Sequence, residues 1–184
     1  MSCERGYMKR HLVFTLAGPD RIGIVDHVTQ KVLQYNGNIE ESRMTRLGGD
    51  FAMIMLISLP AGGEKGLVGE LTSLEEEGFQ VFTRNTESGQ TSRYRGWLPF
   101  RMVVSGADHE GIINSVTHHL AEKGINIETI NTDSVMAPMS GTLLFSMEAI
   151  VLVPPHLTSH EWKDGLFTVG DRVNVDIDVF PYKG

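Results

Sequence analysis

The chain has 184 residues, of which 41% are hydrophobic and 21% are charged, the usual proportions of a globular protein. Its 23 acidic and 16 basic side chains give a net charge of −7, which disfavours direct nucleic-acid binding because a phosphate backbone would be repelled. Cys3 is the single cysteine, so an intramolecular disulfide and a cysteine-based zinc site are excluded. No apolar run approaches the roughly 20 residues that span a bilayer. These features predict a cytoplasmic protein without membrane association, metal or cofactor.

The sequence contains an internal repeat. Gly18–Val25 reappears as Gly106–Ile113, and Asn38–Glu40 reappears as Asn126–Glu128, both with an offset of 88 residues. A fixed offset indicates a duplicated structural unit. The repeated positions include turn and polar residues as well as apolar ones, so the two copies are predicted to share a site geometry as well as a fold.

The first repeat begins with an alternating strand at 11–17, which Gly18-Pro19 ends. Asp20 is placed to cap the helix that follows, and Asn36-Gly37 is placed to end it. Apolar residues spaced by three and four predict the buried stripe of this helix: Ile22, Val25, Val28 and Val32.

A hairpin is predicted next, with strands at 39–47 and 51–59 around the turn Gly48-Gly49-Asp50. After a loop at 60–65, a second helix carries Leu67, Leu71 and Leu74 and stops at Gly78. A last strand starts at Phe79. The resulting order, β-α-β-β-α-β, is the split pattern of ferredoxin-like domains, with antiparallel sheets and both helices on one face.

The second repeat follows the same order. A strand is predicted at 98–105, a helix from a capping Asp108 to Lys123, and a hairpin at 127–135 and 142–153. Beyond this hairpin the offset becomes 94, so six residues are inserted in the turn Met136–Gly141, as a loop elaboration. The closing strand, 173–180, alternates apolar and polar residues and therefore has one buried and one solvated face.

The loop between the first strand and the first helix is the strongest candidate site. Unpaired backbone N–H groups and the helix dipole favour an anion at such a helix N-terminus. Gly18 and Gly23 would allow close approach to the backbone, Asp20 could accept bonds from an ammonium group, and Asn38 offers both a donor and an acceptor. Each residue also has a purely structural interpretation as a turn, cap or strand-start residue.

Other motifs are weaker. His118 and His119 are adjacent and do not share a helix face, so a solvated pair is expected rather than a metal site. Glu75–Glu77 is expected on an exposed helix face. Gly62–Gly66 lacks the spacing of a phosphate-binding loop, and no nucleophile has an identifiable base.

The motif Gly-Pro-Asp-Arg-x-Gly-Ile-Val at a strand–helix junction, followed by Gly-Asn-Ile-Glu at a strand start, resembles the ACT domain. Two such modules, with Asn174–Ile177 near the end, resemble the glycine cleavage system transcriptional repressor family. The resemblance covers residues 11–181. It implies a first ACT domain at 10–86, a linker at 87–96 and a second ACT domain at 97–181.

The resemblance further implies a non-enzymatic regulator that binds a small amino acid, with glycine as the first candidate, and acts through a regulator or enzyme partner rather than on nucleic acid. The effector is expected between the strand–helix loop of one module and the second strand of its neighbour. The candidate ligand-binding residues are Gly18, Asp20, Gly23, Asn38, Gly106, Asp108, Gly111 and Asn126.

The resemblance also implies that modules pair edge to edge, both between the two copies of one chain and in a homodimer, because pairing covers exposed strand edges. In the second copy Ala107 replaces Pro19 and His109 replaces Arg21, so its site could be degenerate or functional. A regulatory subunit of an amino-acid or one-carbon metabolic enzyme and a ligand-free interaction module are the alternative functions.

Overall fold

A computed structural model describes residues 9–86, 93–138 and 141–183. The chain divides into two compact units, residues 1–90 (unit 1) and 91–184 (unit 2). The predicted linker at 87–96 lies partly outside the described residues, as does the tip of the turn at 136–141. The last four positions of the predicted linker, 93–96, form a turn that is closed by a hydrogen bond from the Trp97 N–H to the Tyr94 carbonyl (3.0 Å).

Unit 1 has the predicted βαββαβ order. Its elements are β1 (Lys9–Pro19), α1 (Ile24–Gln34), β2 (Asn38–Leu47), β3 (Asp50–Pro60), α2 (Glu64–Thr72) with a 3₁₀ turn (Ser73–Glu77), and β4 (Gln80–Thr86). The strands form an antiparallel sheet in the order β2-β3-β1-β4. Gly78, at φ 90°, ends the 3₁₀ turn where a stop was predicted, because this left-handed conformation suits glycine.

Unit 2 repeats the architecture. Its elements are β5 (Leu98–Ala107), α3 (Ile112–Glu122), β6 (Asn126–Met136), β7 (Leu143–Val153), α4 (Ser159–Arg172) and β8 (Val175–Pro181). The sheet order is β6-β7-β5-β8, the same as in unit 1. A β-bulge interrupts β2 after Ile39 and β6 after Ile127. The fold is therefore two ferredoxin-like βαββαβ units, as predicted, with both helices of each unit on one face of its sheet.

Each unit has its own apolar core between sheet and helices. In β1 the inward residues Leu12, Phe14 and Leu16 are fully buried, and the residues between them are only half-buried. In β8 Val175 is buried whereas Asp176 and Asp178 are exposed, so the predicted alternation is confirmed. Trp162 of α4 is fully buried against Phe100, with the two ring centroids 5.3 Å apart.

The predicted buried stripe of α1 is wrong at Ile22 and Val25 and correct at Val28 and Val32. The helix begins at Ile24, and its buried residues are Ile24, Val28 and Val32. Ile22 precedes the helix and is fully exposed, and Val25 points away from the core with 36% exposure. The spacing rule still holds, but it starts at Ile24 because the chain turns at Gly23 before the helix begins.

The predicted capping roles of Asp20 and Asp108 are also wrong. The residues that cap α1 and α3 are Gly23 and Gly111, with φ of 87° and 90°, and neither helix has a side-chain cap. Both aspartates lie three residues upstream, at the end of the preceding strand. A left-handed turn that only glycine adopts easily takes the place of the side-chain cap.

His119 is not solvated. It is 9% exposed between α3 and α4, where its Nε2 lies 3.1 Å from the Trp162 carbonyl oxygen. Gly165 makes room for it, because a Cβ there would lie 2.5 Å from His119 Cε1. His118 does face solvent, 3.4 Å from Glu122. Adjacent positions on a helix differ by about 100°, so one histidine faces the core and its neighbour faces water.

Candidate functional site

The β1–α1 loop lies at one end of its sheet and is fixed to the adjacent hairpin. The Asp20 N–H donates to the Gly49 carbonyl in the β2–β3 turn (3.1 Å). In unit 2 the Asp108 N–H donates to the Leu143 carbonyl (2.9 Å), at the start of β7. The two repeats therefore hold their loops in the same way, although the hairpin of unit 2 has a longer turn.

Gly18 and Gly106 serve internal packing. A Cβ at Gly18 would lie 2.7 Å from Phe79 Cδ1 and 3.2 Å from the Gly78 oxygen. A Cβ at Gly106 would lie 2.9 Å from Val175 Cγ1 and 3.1 Å from the Asn174 oxygen. Because these glycines have no Cβ, the residues at the start of the last strand can lie close to the end of the first strand. Part of the space that the sequence predicts for a ligand is therefore occupied by the chain itself.

Gly23 and Gly111 behave differently, because a Cβ added at either position would meet no atom within 4 Å outside its own stretch of chain. Their requirement for glycine comes from the positive φ alone. The backbone beside them is open to an approaching molecule, at the N-terminus of a helix without a side-chain cap. Such an end carries unpaired N–H groups and a partial positive charge, which suit a carboxylate.

The two aspartates have different partners. The Asp20 carboxylate lies 4.0 Å from Arg46 Nε of β2, and the two side chains are 39% and 70% exposed. The Asp108 carboxylate accepts a hydrogen bond from Ser134 Oγ of β6 (2.9 Å). An exposed ion pair at 4.0 Å is weak, so Asp20 is more available for a ligand's ammonium group than Asp108.

A second link holds the loop, and sequence reasoning missed it. The Arg21 guanidinium donates to the Glu77 carbonyl and lies 4.7 Å above the Phe79 ring. In unit 2, His109 Nε2 lies 2.6 Å from the Val173 carbonyl oxygen. Glu77 and Val173 each precede the left-handed residue before the last strand, Gly78 in unit 1 and Asn174 in unit 2. The Arg-to-His difference therefore preserves this link. The offset of 88 relates Arg21 to His109 but not Glu77 to Val173, so the repeat identified the donors and not their acceptors.

His109 is held in a setting that favours its charged form. Its Nδ1 lies 3.0 Å from the Glu110 carbonyl oxygen, and its Nε2 faces the Val173 carbonyl oxygen. Carbonyl oxygens only accept, so both ring nitrogens must carry hydrogen to satisfy both contacts. The bonds to Glu110 and then Val173, with the charge of Asp108, raise the pKa of His109 above 6.5.

Asn38 does not meet Gly18 within its unit. Gly18 is paired with Phe51 of β3, whereas Asn38 is paired with Ser58, seven residues further along the same strand. At about 3.3 Å per residue this separation is roughly 23 Å. Gly106 and Asn126 are separated in the same way, opposite Phe145 and Leu152 of β7. A site that uses the loop and the asparagine needs two modules.

A shallow concavity of about 480 Å³ adjoins the loop end of unit 1. Its lining is mostly small or apolar and includes Ala17, Gly18, Leu47, Phe51 and Gly78, with Thr45, Asp50 and Gln80 as polar members. Leu47, in the hairpin, is 79% exposed. The concavity has the size of a small ligand or of a side chain from a partner.

Metal-binding clusters and membrane-spanning helices are both absent from the described residues. No group of three or more histidine, cysteine, aspartate or glutamate side chains there could hold a metal ion. No helix in this part of the chain is long and apolar enough to cross a bilayer.

Comparison with known proteins finds a family match over part of the chain. Residues 10–83 match the ACT domain. A glycine cleavage system transcriptional repressor from Escherichia coli strain K12 is 46% identical over 50 residues, 27% of this chain and 26% of that protein. A UPF0237 protein from Methanosarcina mazei is 42% identical over 48 residues, 26% of this chain and 52% of that protein. The match thus spans about a quarter of the length of the curated repressor.

Solved structures match nearly the whole chain. An unknown protein from Galdieria sulphuraria is 36% identical, with a TM-score of 0.81, over 95% of this chain and 99% of that one. A candidate glycine cleavage system transcriptional repressor has the same fold, with a TM-score of 0.69, 20% identity and coverage of 96% and 99%. This chain therefore matches the ACT domain over residues 10–83, is similar to a glycine cleavage system transcriptional repressor over 50 residues, and has a tandem ACT-type fold.

Proposed function

We propose that the protein is a non-enzymatic regulator that binds a small amino acid, with glycine as the first candidate, and acts through a protein partner in transcriptional or metabolic control. One observation carries the proposal: the Asp20–Gly23 loop ends at a helix without a side-chain cap and is held at both sides by bonds to Gly49 and Glu77. A fixed loop with unpaired donors favours binding because little ordering is needed.

The chemistry of an amino acid fits this loop. Its carboxylate would accept bonds from backbone N–H groups near Gly23, and its ammonium group would face the Asp20 carboxylate. Asn38, from a second module, would complete the site with its amide. In a homodimer the second module would come from the other copy, and the exposed edge strand β2 would lie between them.

Binding is tested by calorimetry with glycine and then each of the other standard amino acids. Asp20→Ala and Asn38→Ala should each weaken binding at least tenfold, whereas Asn114→Ala, at an exposed position of α3, should not change it. Size-exclusion chromatography with light scattering should show a dimer. If no amino acid binds at millimolar concentration, the sensor proposal fails.

An exposed apolar group favours one alternative, a ligand-free interaction module. Ile22 is fully exposed at the loop tip, and Leu47 projects from the neighbouring hairpin. Such a pair suits a contact with another protein. If Ile22→Ser abolishes capture of an identified regulator or enzyme while Asp20→Ala and Asn38→Ala do not, the interaction module replaces the sensor. A partner identified as a metabolic enzyme would assign the chain as its regulatory subunit.

A further inference from the structure

The two repeated asparagines, Asn38 and Asn126, have different surroundings. Each begins the second strand of its unit, next to the same β-bulge. Asn38 is exposed, and its side chain makes no hydrogen bond to any residue that the structure describes. Asn126 is half-buried, and both ends of its amide are engaged.

Tyr94 is the residue that engages Asn126. Its hydroxyl donates to Asn126 Oδ1 (3.0 Å), and Asn126 Nδ2 donates to the Ile127 carbonyl (3.3 Å). An asparagine amide has one carbonyl oxygen and two N–H donors. Two of its groups are therefore committed within unit 2, and a ligand would have to displace the phenol to use the oxygen.

The turn before β5 holds Tyr94 in place. The Trp97 N–H donates to the Tyr94 carbonyl, and the Tyr94 and Trp97 rings meet edge to face with centroids 4.9 Å apart. The Arg93 guanidinium lies 5.8 Å from the Tyr94 ring centroid. The phenol is thus restrained beside Asn126, so less entropy is lost when this bond forms than when a free ligand binds.

The residues that lie beside each asparagine on the neighbouring strands also differ between the two units. In unit 1, Asn38 is followed across the strands by Ser58 and His11, and His11 Nε2 lies 3.5 Å from Glu40. In unit 2, Asn126 is followed by Leu152 and Pro99. Both rows end near a carboxylate, because Glu128 is the repeat of Glu40, so the rows differ in Ser58 and His11, which stand where unit 2 has Leu152 and Pro99. Ser58 is 2% exposed and the His11 side chain is 10% exposed, so these two residues make the surroundings of Asn38 more polar without facing solvent.

We propose that Tyr94 is an internal occupant of the second ligand position, so that its phenol takes the place of a ligand at Asn126 and amino-acid binding is confined to Asn38. The inference rests on the proposed function. It assigns an autoinhibitory contact to the residues between the two repeats and gives the two copies different roles.

The test uses the full chain and calorimetric titration with glycine, followed by the other standard amino acids. Asn38→Ala should lose all binding. Tyr94→Phe in the Asn38→Ala background removes only the hydroxyl and should restore one binding event per chain, and Tyr94→Ala removes the ring as well. The restored event should disappear again when Asn126→Ala is added. Tyr182→Phe, an exposed tyrosine of the same unit, is the control and should restore nothing.

The outcomes separate the two proposals. If Asn38→Ala still binds with Tyr94 intact, or if neither Tyr94 variant restores binding to a folded protein, the occupant inference is overturned and the sensor remains. If the wild type binds nothing but the Tyr94 variants do, Tyr94 is confirmed as the occupant at Asn126, and the part of the inference that places binding at Asn38 is overturned. If no variant binds any amino acid, both fail. Circular dichroism of each variant confirms folding.

Discussion

Unit 1 and unit 2 solve the same structural problems with different residues. Position 31 and its repeat, position 119, both lie between the two helices of their unit: Lys31 Nζ pairs with Glu70 of α2 at 2.9 Å, whereas His119 is buried against the backbone of α4. Arg21 and His109 make the same link to the backbone before the last strand. The positions of these contacts are the same in both units although the side chains differ, because each contact needs a hydrogen-bond donor at that place rather than one particular residue.

The largest expected effect concerns the helix–helix contact. His119→Ala should lower the free energy of unfolding of unit 2 by about 2–3 kcal/mol, because it leaves a cavity and removes the partner of a buried carbonyl. Lys31→Ala, at the equivalent position, should cost no more than about 1 kcal/mol, because its ion pair is partly exposed. Urea unfolding followed by circular dichroism reports both units, and tryptophan fluorescence reports unit 2 separately, because that unit carries both tryptophans. Equal losses in the two variants would contradict the comparison.

The next effect concerns the paired glycines. Gly18→Ala and Gly106→Ala should each destabilise their unit by about 1–2 kcal/mol, because the new methyl group meets the last strand in both. Gly69→Ala, in α2 with open space around it, is the matched control and should stabilise by about 0.5–1 kcal/mol. Thermal unfolding measured by circular dichroism checks all three, and an unchanged melting temperature in the first two would show that the strands can separate there.

The third effect is the pH dependence of the His109 link in unit 2. The folded pKa of His109 is raised, so the link to Val173 contributes fully below pH 6.5 and is lost as pH rises through the raised pKa. His109→Arg, which copies Arg21, should remove this component of the melting temperature between about pH 6 and pH 8. If the wild type and the variant have parallel pH profiles, His109 does not link the loop in this way.

The smallest effect distinguishes a capping from a non-capping aspartate. A true N-cap substitution costs about 0.5–2 kcal/mol. Asp20 does not cap α1 and has only a 4.0 Å ion pair with Arg46, so Asp20→Ala should change stability by less than about 0.5 kcal/mol. Thr158→Ala is the contrasting case, because Thr158 and Glu161 form a capping box at α4. A loss of about 1 kcal/mol at Asp20 would restore the capping interpretation.

The sequence by itself determined the repeat, the element order and the position of the turns. Strand alternation, such as Leu12-Phe14-Leu16, and helix spacing are local properties that follow from side-chain periods of 2 and 3.6 residues. Glycines with positive φ, such as Gly48 and Gly78, were also correctly placed in turns, because the conformational restriction acts within one residue.

Only the tertiary structure decided which side chains meet. The burial of His119, the roles of Gly18 and Gly106 and the links made by Arg21 and His109 all join residues distant in the chain. The separation of Gly18 from Asn38 depends on strand register, and the bond from Tyr94 to Asn126 spans 32 positions. Such contacts depend on how strands and helices pack together, and the side-chain period of a single strand or helix does not predict that packing.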